Sequence, residues 1–351
     1  MSEFANRLIA WQKVHGRHNL PWQNTADPYA IWVSEIMLQQ TQVTAVIGYY
    51  SKFMNQFSNI ASLANATQDE ILQHWSGLGY YSRARNLHKA AQTIMHEHNG
   101  QFPQDFDTIQ TLSGIGRSTA AAIASFAFNQ IQTILDGNVK RVLARHFLID
   151  GWPSSPKVEK QLWALAEDLL PKQDMIAYTQ GLMDLGATLC TRSKPKCDVC
   201  PLNKTCEAYR QHRVSELPTP KPRKAIPERH ITMLILLHGN EVLLEKRPST
   251  GIWGGLWSFP EVETDFNTEA VVLSRFAMIA EADEPLATLS HALTHFKLYI
   301  QPQPLRVIKI HTKVCETDQI WLSIDDAITA AIPTPVRKIL QSLENQQYHL
   351  V

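Results

Sequence analysis

The chain has 351 residues, of which 44% are hydrophobic, and it carries 33 basic and 33 acidic side chains. A chain of this length is longer than a single hydrophobic core of ordinary size can serve, so we expect two domains. No run of about 18 apolar residues occurs, and the first residues lack the apolar stretch of a signal peptide. These features exclude a membrane protein and predict a soluble, cytoplasmic one.

Charge is distributed unevenly along the chain. Up to Ala225 there are 23 Lys and Arg against 18 Asp and Glu, whereas the remainder has 10 against 15. The first part is therefore the better candidate for binding nucleic acid, although such an excess is common in soluble domains. Residues 217–228 contain four prolines and read as a semi-rigid linker. The predicted domains are 1–216 and 229–351.

The first part has the periodicity of helices. Asp27 and Pro28 form an N-cap and a first helical position, and Glu35 then shares the apolar face of that helix with Ile31 and Trp32. A second helix is expected from Thr41. Further helices are predicted at 68–75, 83–98, 117–128, 138–147, 157–170 and 174–189. This domain should be all-α.

Two carboxylates in this domain stand at chemically suggestive positions. Glu35 on an apolar face should be desolvated, which raises its pKa and lets it hold a proton near neutrality. Asp136 precedes an apolar-periodic run, so it can cap a helix by accepting the N–H of Asn138 or Val139. Two structural alternatives remain open: Glu35 could be a glutamate paired within the core, and Asp136 could serve only as a helix cap. Together the two would suit cleavage of a glycosidic bond through an oxocarbenium-like state.

A glycine-rich turn lies between these carboxylates. In the segment LSGIGRSTAAAI, residues 112–123, Gly114 and Gly116 flank Ile115 just before an alanine-rich helix. Glycines permit a tight turn that leaves N–H groups at a helix start free to hold a phosphate. A plain turn between helices is the alternative to a helix-hairpin-helix DNA clamp.

Four cysteines close this part of the chain with the spacing C-x6-C-x2-C-x5-C. Four thiolates within 17 residues can hold one [4Fe-4S] cluster, and Arg192, Lys194 and Lys196 lie close enough in sequence to offset its charge. A structural zinc ion is the alternative to the cluster, although four-cysteine zinc sites usually show two CxxC pairs and only one occurs here. A fifth cysteine, Cys315, has no evident partner, which fits a reducing compartment. The four are Cys190, Cys197, Cys200 and Cys206.

Beyond the linker the pattern becomes that of strands. Residues 231–238 and 241–246 flank the turn signal Gly239-Asn240 and predict a β-hairpin. Further strands are expected within 287–302 and at 305–311, followed by helices at 325–331 and 335–346. This is predicted to be an α+β domain.

Five motifs in order closely resemble the helix-hairpin-helix DNA glycosylases of the endonuclease III superfamily, and within it the MutY-type adenine glycosylases. They are residues 34–43, 75–91, 112–123 and 135–145 and the cysteine spacing. The resemblance covers nearly all of residues 4–345. It implies a [4Fe-4S] cluster rather than zinc. It also implies a monomer, associated with the nucleoid through double-stranded DNA containing adenine opposite 8-oxoguanine or guanine, with no membrane partner.

The resemblance also implies roles for individual residues. Glu35 would be the acid and base of the reaction, and Asp136 would stabilise the sugar cation. The remaining implied positions fall into three groups: residues beside the oxidised guanine, Gln40, Leu78 and Tyr80; the adenine pocket, Trp22, Gln23 and Asp184; and contacts to DNA from the hairpin and the cysteine loop, Gly114, Gly116, Ser118, Arg192, Lys194 and Lys196.

Ser118 separates two branches of the superfamily. Relatives that also cut the strand have a lysine at this position, whose amine forms a Schiff base with the sugar. Since this chain has serine there, a monofunctional glycosylase is expected. A bifunctional pyrimidine glycosylase and a non-catalytic DNA-damage binding protein are the alternatives.

The second domain resembles the Nudix-like domain with which adenine glycosylases recognise 8-oxoguanine. The match is clearest in residues 251–260, whereas the carboxylate motif that binds catalytic magnesium is absent from 261–286. Hydrolysis of nucleotides should therefore be lost. Thr294 and His295 correspond to the Ser and His of the family's Phe-Ser-His element, and Leu293 replaces its aromatic ring.

Overall fold

The computed structural model describes residues 2–222, 225–264, 266–311 and 318–347, so Cys315 lies outside the described residues. The chain divides into two compact units. The helical unit comprises Met1–Asn65 and Asn86–Arg223, and the mixed unit comprises Ala66–Arg85 and Lys224–Val351. The division follows contacts rather than chain order, because the stretch Ala66–Arg85 packs with the C-terminal half. In the described part of the chain, no helix is both long and apolar enough to cross a membrane.

Twelve α-helices precede the first strand in the described chain. They are α1 (Glu3–His15), α2 (Pro28–Leu38), α3 (Val43–Gln56), α4 (Ile60–Asn65), α5 (Gln68–Trp75), α6 (Ser82–Glu97), α7 (Phe106–Thr111), α8 (Arg117–Phe128), α9 (Gly137–His146), α10 (Pro156–Asp168), α11 (Met175–Thr188) and α12 (Glu207–Arg210). In the helical unit, α1 and α9 both pack on α11. The prediction of an all-α first part is confirmed.

Local signals explain where several helices begin. The Asp27 carboxylate accepts the Tyr29 N–H at 3.0 Å, and Pro28 occupies the first turn of α2, as predicted. Helices α5 and α8 have the predicted bounds. Helix α3 begins at Val43, two residues later than predicted, because Gln42 is in the extended conformation of a cap.

The mixed unit has one eight-stranded sheet. Its strands are β1 (Glu228–His238), β2 (Glu241–Lys246), β3 (Trp257–Ser258), β4 (Glu261–Val262), β5 (Met278–Ala282), β6 (Leu289–Ala292), β7 (Lys297–Ile310) and β8 (Gln319–Ser323), with helices α13 (Thr268–Phe276), α14 (Ile324–Thr329) and α15 (Thr334–Gln347). Strands β1 and β2 form the predicted hairpin, with Leu237 opposite Val242. Strand β1 also pairs in parallel with β7, and the predicted α+β class is confirmed.

Strand β7 differs from the prediction of two separate strands. Residues 297–310 are continuous, although Pro302 and Pro304 lie within them, opposite Met233 and Ile235 of β1. A proline cannot donate to a sheet ladder and is normally confined to an edge. The carbonyls of both prolines accept N–H groups from 283–286, at 3.0 and 3.1 Å. The missing N–H groups therefore face this segment and not β1, so the parallel ladder is preserved.

Two glutamines replace the donors that the prolines lack. The Gln301 side-chain amide donates to the Leu286 carbonyl at 2.6 Å, and that of Gln303 donates to the Asp283 carbonyl at 2.7 Å. These carbonyls belong to the same residues whose N–H groups bind the prolines. The repeated Gln-Pro pair is thus a local substitute for two ladder bonds.

Replacing Gln303 by leucine should lower the free energy of unfolding of the mixed unit by about 1–3 kcal/mol, because it leaves a partly buried carbonyl without a donor. Urea denaturation followed by tryptophan fluorescence measures the change. Gln341→Leu, on an exposed face of α15, is the matched control and should stay within about 0.5 kcal/mol of the parent. Equal stability of the two variants would contradict this role.

Candidate active site and cysteine cavity

Helix α2 delivers Glu35 to a cavity of about 750 Å³ in the helical unit. Trp32 and Ile36 of the same helix are buried in the core, so they fix the rotation of the helix. Glu35 then faces the cavity together with Ile31 and Leu38. The cavity wall therefore carries two carboxyls, that of Glu35 and that of Asp174, and the Asp174 carboxylate accepts the Lys13 ammonium at 2.8 Å. The space is large enough for a nucleobase.

The Glu35 carboxyl is protonated more readily than an ordinary glutamate. Burial, and to a smaller extent the nearby charge of Asp136, together raise its pKa to about 8. The side chain keeps some exposed surface in the cavity, but protein atoms surround it closely enough to desolvate the charge. The upward shift expected from an apolar helix face is therefore present.

Asp136 caps α9, as predicted. Its Oδ1 accepts the Val139 N–H at 2.8 Å, and its Oδ2 accepts the Asn138 side-chain amide at 3.2 Å. Burial raises the pKa of Asp136, while these hydrogen bonds and the Arg141 guanidinium act in the opposite direction. The cap fixes the carboxylate near Glu35, so capping and a second role are compatible.

The three predicted adenine-pocket residues fall at different depths. Trp22 and Gln23 line the cavity with Glu35, whereas Asp184 is not among its lining residues. Asp184 is fully buried and accepts the Arg17 backbone N–H at 2.8 Å and its Nε at 2.6 Å. The structure thus places Asp184 behind the wall, where it holds Arg17, which does line the cavity. Arg17 was not predicted, because an isolated arginine outside any helix carries no periodic signal.

The glycine-rich turn joins α7 to α8, and its two glycines differ in how strictly glycine is required. Gly114 has a φ of +81°, and a Cβ there would lie 2.8 Å from the Cβ of Asn86, so only glycine fits. Gly116 caps α8 and has open space around it. The Gln39 side chain donates to the Gly114 carbonyl and to Thr119, which ties the end of α2 to the hairpin.

Ser118 and Gln40 flank this region. The Ser118 hydroxyl accepts the Leu135 N–H at 3.0 Å, one residue before Asp136. A side chain at position 118 therefore points toward the segment that carries the second carboxylate. Gln40 is exposed and has a φ of +57°, a left-handed conformation that is uncommon outside glycine.

The four cysteines line one cavity, between α9 and the loop that follows α11. Buried Arg145 donates from Nη1 to the Cys190 sulfur at 3.4 Å and to the Thr191 carbonyl at 2.7 Å. His146 also lines the cavity, and its buried Nδ1 has no hydrogen-bond partner in the described part of the chain. Both residues come from α9 and were not singled out from the sequence.

The basic residues of the cysteine loop are exposed. Arg192, Lys194 and Lys196 all face solvent, and within the described ranges their side chains form no ion pair. Three unneutralised cations on one short loop make a surface suited to phosphate groups.

A second cavity, of about 390 Å³, lies in the mixed unit. Tyr80, Leu293 and Thr294 line it, together with Trp253 and His291; His295 is not among its lining residues. The structure therefore brings together predicted residues from two distant stretches of sequence.

Leu78 and Tyr80 do not share an environment. Leu78 is only 8% exposed, whereas Tyr80 is 45% exposed. A buried leucine does not present a side chain that could enter a duplex, whereas Tyr80 has the exposure that such a contact requires.

Family comparisons agree with this arrangement. Residues 33–168 match the model of the HhH-GPD superfamily of base excision DNA repair proteins, and residues 231–342 match that of the NUDIX domain. A solved thermostable thymine-DNA glycosylase is 30% identical, with a TM-score of 0.55 over 59% of this chain and 95% of its own. Fold and site thus define a helix-hairpin-helix DNA glycosylase with an appended Nudix-like domain.

Individual relatives narrow the class. The adenine DNA glycosylase of Buchnera aphidicola is 39% identical over 99% of this chain and 98% of its own length. That of Homo sapiens is 32% identical over 99% of this chain and 75% of its own. The chain belongs to the adenine DNA glycosylase family.

Proposed function

We propose that this chain is a monofunctional glycosylase that extrudes adenine paired with 8-oxoguanine or guanine from double-stranded DNA and hydrolyses its N-glycosidic bond. The observation that carries the proposal is Glu35 at the wall of a base-sized cavity, with its pKa raised to about 8 by burial and by the nearby charge of Asp136, which does not itself line the cavity. One carboxyl is protonated at neutral pH and the other lies within its electrostatic reach, which is the arrangement that glycoside cleavage requires.

The proposed reaction uses both groups. Protonated Glu35 donates its proton to N7 of adenine while the bond between C1′ and N9 breaks, and the electron pair of that bond leaves with the base. Asp136 stabilises the positive charge that develops on the deoxyribose. Water then adds to C1′ and returns a proton to Glu35. The products are free adenine and an abasic site.

The cavity walls suit a flipped base. Trp22 offers an aromatic surface and packs edge-on against Tyr50 at 5.3 Å between ring centroids, which holds its ring in place. Gln23 donates to the Arg17 carbonyl at 2.9 Å and accepts the Leu20 N–H at 3.0 Å, so its amide orientation is fixed. We assign the adenine pocket to these side chains, with Asp184 supporting it through Arg17.

We further propose that Cys190, Cys197, Cys200 and Cys206 hold a [4Fe-4S] cluster. All four line one cavity, yet no group of three or more His, Cys, Asp or Glu side chains within the described ranges is placed to hold a metal ion. A zinc ion would need four sulfurs at about 2.3 Å from one point, whereas a cubane accepts ligands that are farther apart. Arg145 already donates to one sulfur, and the unpartnered His146 Nδ1 leaves another polar atom available. When bound, the cluster supplies a rigid support for the loop and no step of base removal.

Contacts to DNA follow from exposure and charge. The N–H groups at the start of α8, to which the cap residue Gly116 offers no side chain, and the exposed Arg192, Lys194 and Lys196 are proposed to hold phosphates. Gln40 and Tyr80 would contact bases beside the lesion, and Thr294 would face 8-oxoguanine from the mixed-unit cavity. Since one chain carries all of these groups, we propose that the protein acts as a monomer. We propose a glycosylase domain at residues 1–216 and a recognition domain at residues 229–351.

A panel of duplexes tests the proposal. Each carries adenine or an oxidised pyrimidine opposite a defined base, and strand breaks are scored with and without alkali. We expect breaks at adenine only after alkali, because an abasic site is left intact. Breaks at pyrimidine without alkali would instead show a bifunctional enzyme, and binding without breaks would show a damage-binding protein.

Replacing Ser118 by lysine should add some strand cleavage, because the Ser118 side chain points to the segment just before Asp136. The variant should become covalently attached to DNA after borohydride reduction. The control is Ser118→Arg, which places a cation at the same position but has no amine that can form a Schiff base, so it should give no trapped adduct. A folded, DNA-binding Ser118 variant without any trapped adduct would place this position away from the sugar.

A further inference from the structure

The stretch Ala66–Arg85 is continuous with the helical part of the chain but packs with the C-terminal half. Between α5 and α6 it forms a turn, residues 77–81, which we term the Tyr80 loop. Gly77, Gly79 and Tyr80 all have positive φ, at +98°, +78° and +50°. The two glycines allow this stretch of backbone many conformations. Tyr80 has a left-handed backbone conformation, which costs a non-glycine residue about 1–2 kcal/mol. Something outside the loop must therefore fix it.

The residues before the loop are bound to the C-terminal half. The buried Ser76 hydroxyl donates to the Ile332 carbonyl at 2.7 Å, and the Gln73 amide donates to the Thr329 carbonyl at 2.9 Å. Both acceptors lie at the end of α14 and just beyond it. The chain therefore enters the loop from a fixed point.

The start of α5 and the exit from the loop are held as well. Asp69 forms an ion pair with Lys246 and accepts the indole N–H of Trp257 at 3.2 Å. On the far side of the loop, Arg85 donates from Nη1 to the Gly254 carbonyl at 2.5 Å. The C-terminal half thus holds both ends of the Tyr80 loop.

Just after the loop, Arg83 in the first turn of α6 supports the Tyr80 ring. Its guanidinium is buried and lies 5.4 Å from the centre of that ring and 5.5 Å from the centre of Trp75, while Nη2 donates to the Gly79 carbonyl at 3.1 Å. One side of the tyrosine is therefore occupied, and almost half of its surface remains exposed. The ring stands ready to stack with a planar group.

We propose that the C-terminal half is a positioning device for Tyr80, and that Ser76 is the positioning residue at the centre of this device. Resting on the proposed function, this gives the Nudix-like part a second contribution to the preference for 8-oxoguanine: besides its own contacts from Thr294, it sets the ring that stacks beside the lesion. The two contributions meet at one cavity, which Tyr80 and Thr294 both line.

Single-turnover release of adenine by the full chain tests the device. Ser76→Ala should lower the ratio of rates for adenine opposite 8-oxoguanine and opposite guanine by roughly three- to tenfold, the range that one hydrogen bond accounts for. Gln73→Ala, at an exposed position whose loss should leave the fold intact, should change the ratio in the same direction by less. Ser323→Ala removes the hydroxyl that caps α14 without touching the stretch 66–85, and it should leave the ratio unchanged.

A double-mutant cycle separates positioning from general destabilisation. In a Tyr80→Ala background, Ser76→Ala should lower the ratio no further, because both changes act through the same ring. Full additivity, or an unchanged ratio in Ser76→Ala, would overturn the proposal.

Amide hydrogen exchange of residues 77–82 provides a measurement that does not depend on activity. Exchange there should be faster in Ser76→Ala than in the parent and equal to the parent in Ser323→Ala. A parent that releases no adenine would overturn the proposed function, and the exchange data would then still decide whether the C-terminal half fixes the loop. Unchanged exchange in Ser76→Ala would overturn the device itself.

Discussion

Glu35→Gln is expected to lower single-turnover release of adenine by about 10²–10⁴, the range typical of general acid–base catalysis. The amide nearly matches the carboxyl in size, so the cavity keeps its shape, but it cannot deliver a proton to the leaving base. Binding of the duplex should change little. Rapid-quench measurement with excess enzyme isolates the chemical step from product release.

The matched control for this variant is Glu97→Gln, which makes the same carboxyl-to-amide change at an exposed position at the end of α6. It should retain the parent rate within about twofold, as surface substitutions usually do. A Glu35→Gln rate within about tenfold of the parent would show that another group delivers the proton.

Asp136→Asn should separate the two roles of this carboxylate. Asparagine caps helices as well as aspartate does, so the bond to the Val139 N–H and the stability of α9 should be retained. The negative charge is lost, and with it we expect a fall in adenine release of about 10²–10³, as for other groups that stabilise transition-state charge. Rate and thermal unfolding should be measured on the same preparation.

Asp136→Ala shows how much of the effect comes from the helix cap and how much from the charge. It removes cap and charge together, so it should lose the same activity and in addition about 0.5–2 kcal/mol of stability. Parent-like activity in Asp136→Asn, combined with instability in Asp136→Ala, would show that capping is the whole role of Asp136.

Local sequence signals predicted much of the helical unit. The N-cap at Asp27, the cap at Asp136 and the bounds of α5 and α8 all depend on residues close together in sequence. Helices α4, α7 and α12 have six, six and four residues, which is too short to show a helical period. Helix α1 was missed although Phe4, Leu8 and Ile9 show the spacing of a buried face.

The prolines of β7 misled the prediction for a physical reason. Pro302 and Pro304 argue against an internal strand, and only the three-dimensional position of Gln301 and Gln303 shows how their missing donors are replaced. Strand β5 and helix α13 were likewise unpredicted.

The sequence predicted individual residues of the candidate site, but it did not predict which of them are buried and which line the cavity. Sequence spacing predicted the position of Glu35 on α2 and the helix cap at Asp136, yet it could not show that Asp184 lies behind Arg17. Nor could it show that Leu78 is buried beside an exposed Tyr80, because these distinctions arise from packing between distant segments. The same holds for Arg145, whose contact with Cys190 joins residues 45 positions apart.

The central claim is that Glu35 must be protonated to release adenine, and the pH dependence of the single-turnover rate tests it most directly. With the pKa of Glu35 raised to about 8, its acid form predominates at neutral pH and is lost as pH rises. We therefore expect the rate to fall about tenfold per pH unit above that value, since only the protonated form donates. In Asp136→Asn the fall should begin at lower pH, because burial still raises the Glu35 pKa but the smaller contribution of the Asp136 charge is gone. A parent rate that stays level or rises through pH 9.5 would contradict the assignment of Glu35 as the acid.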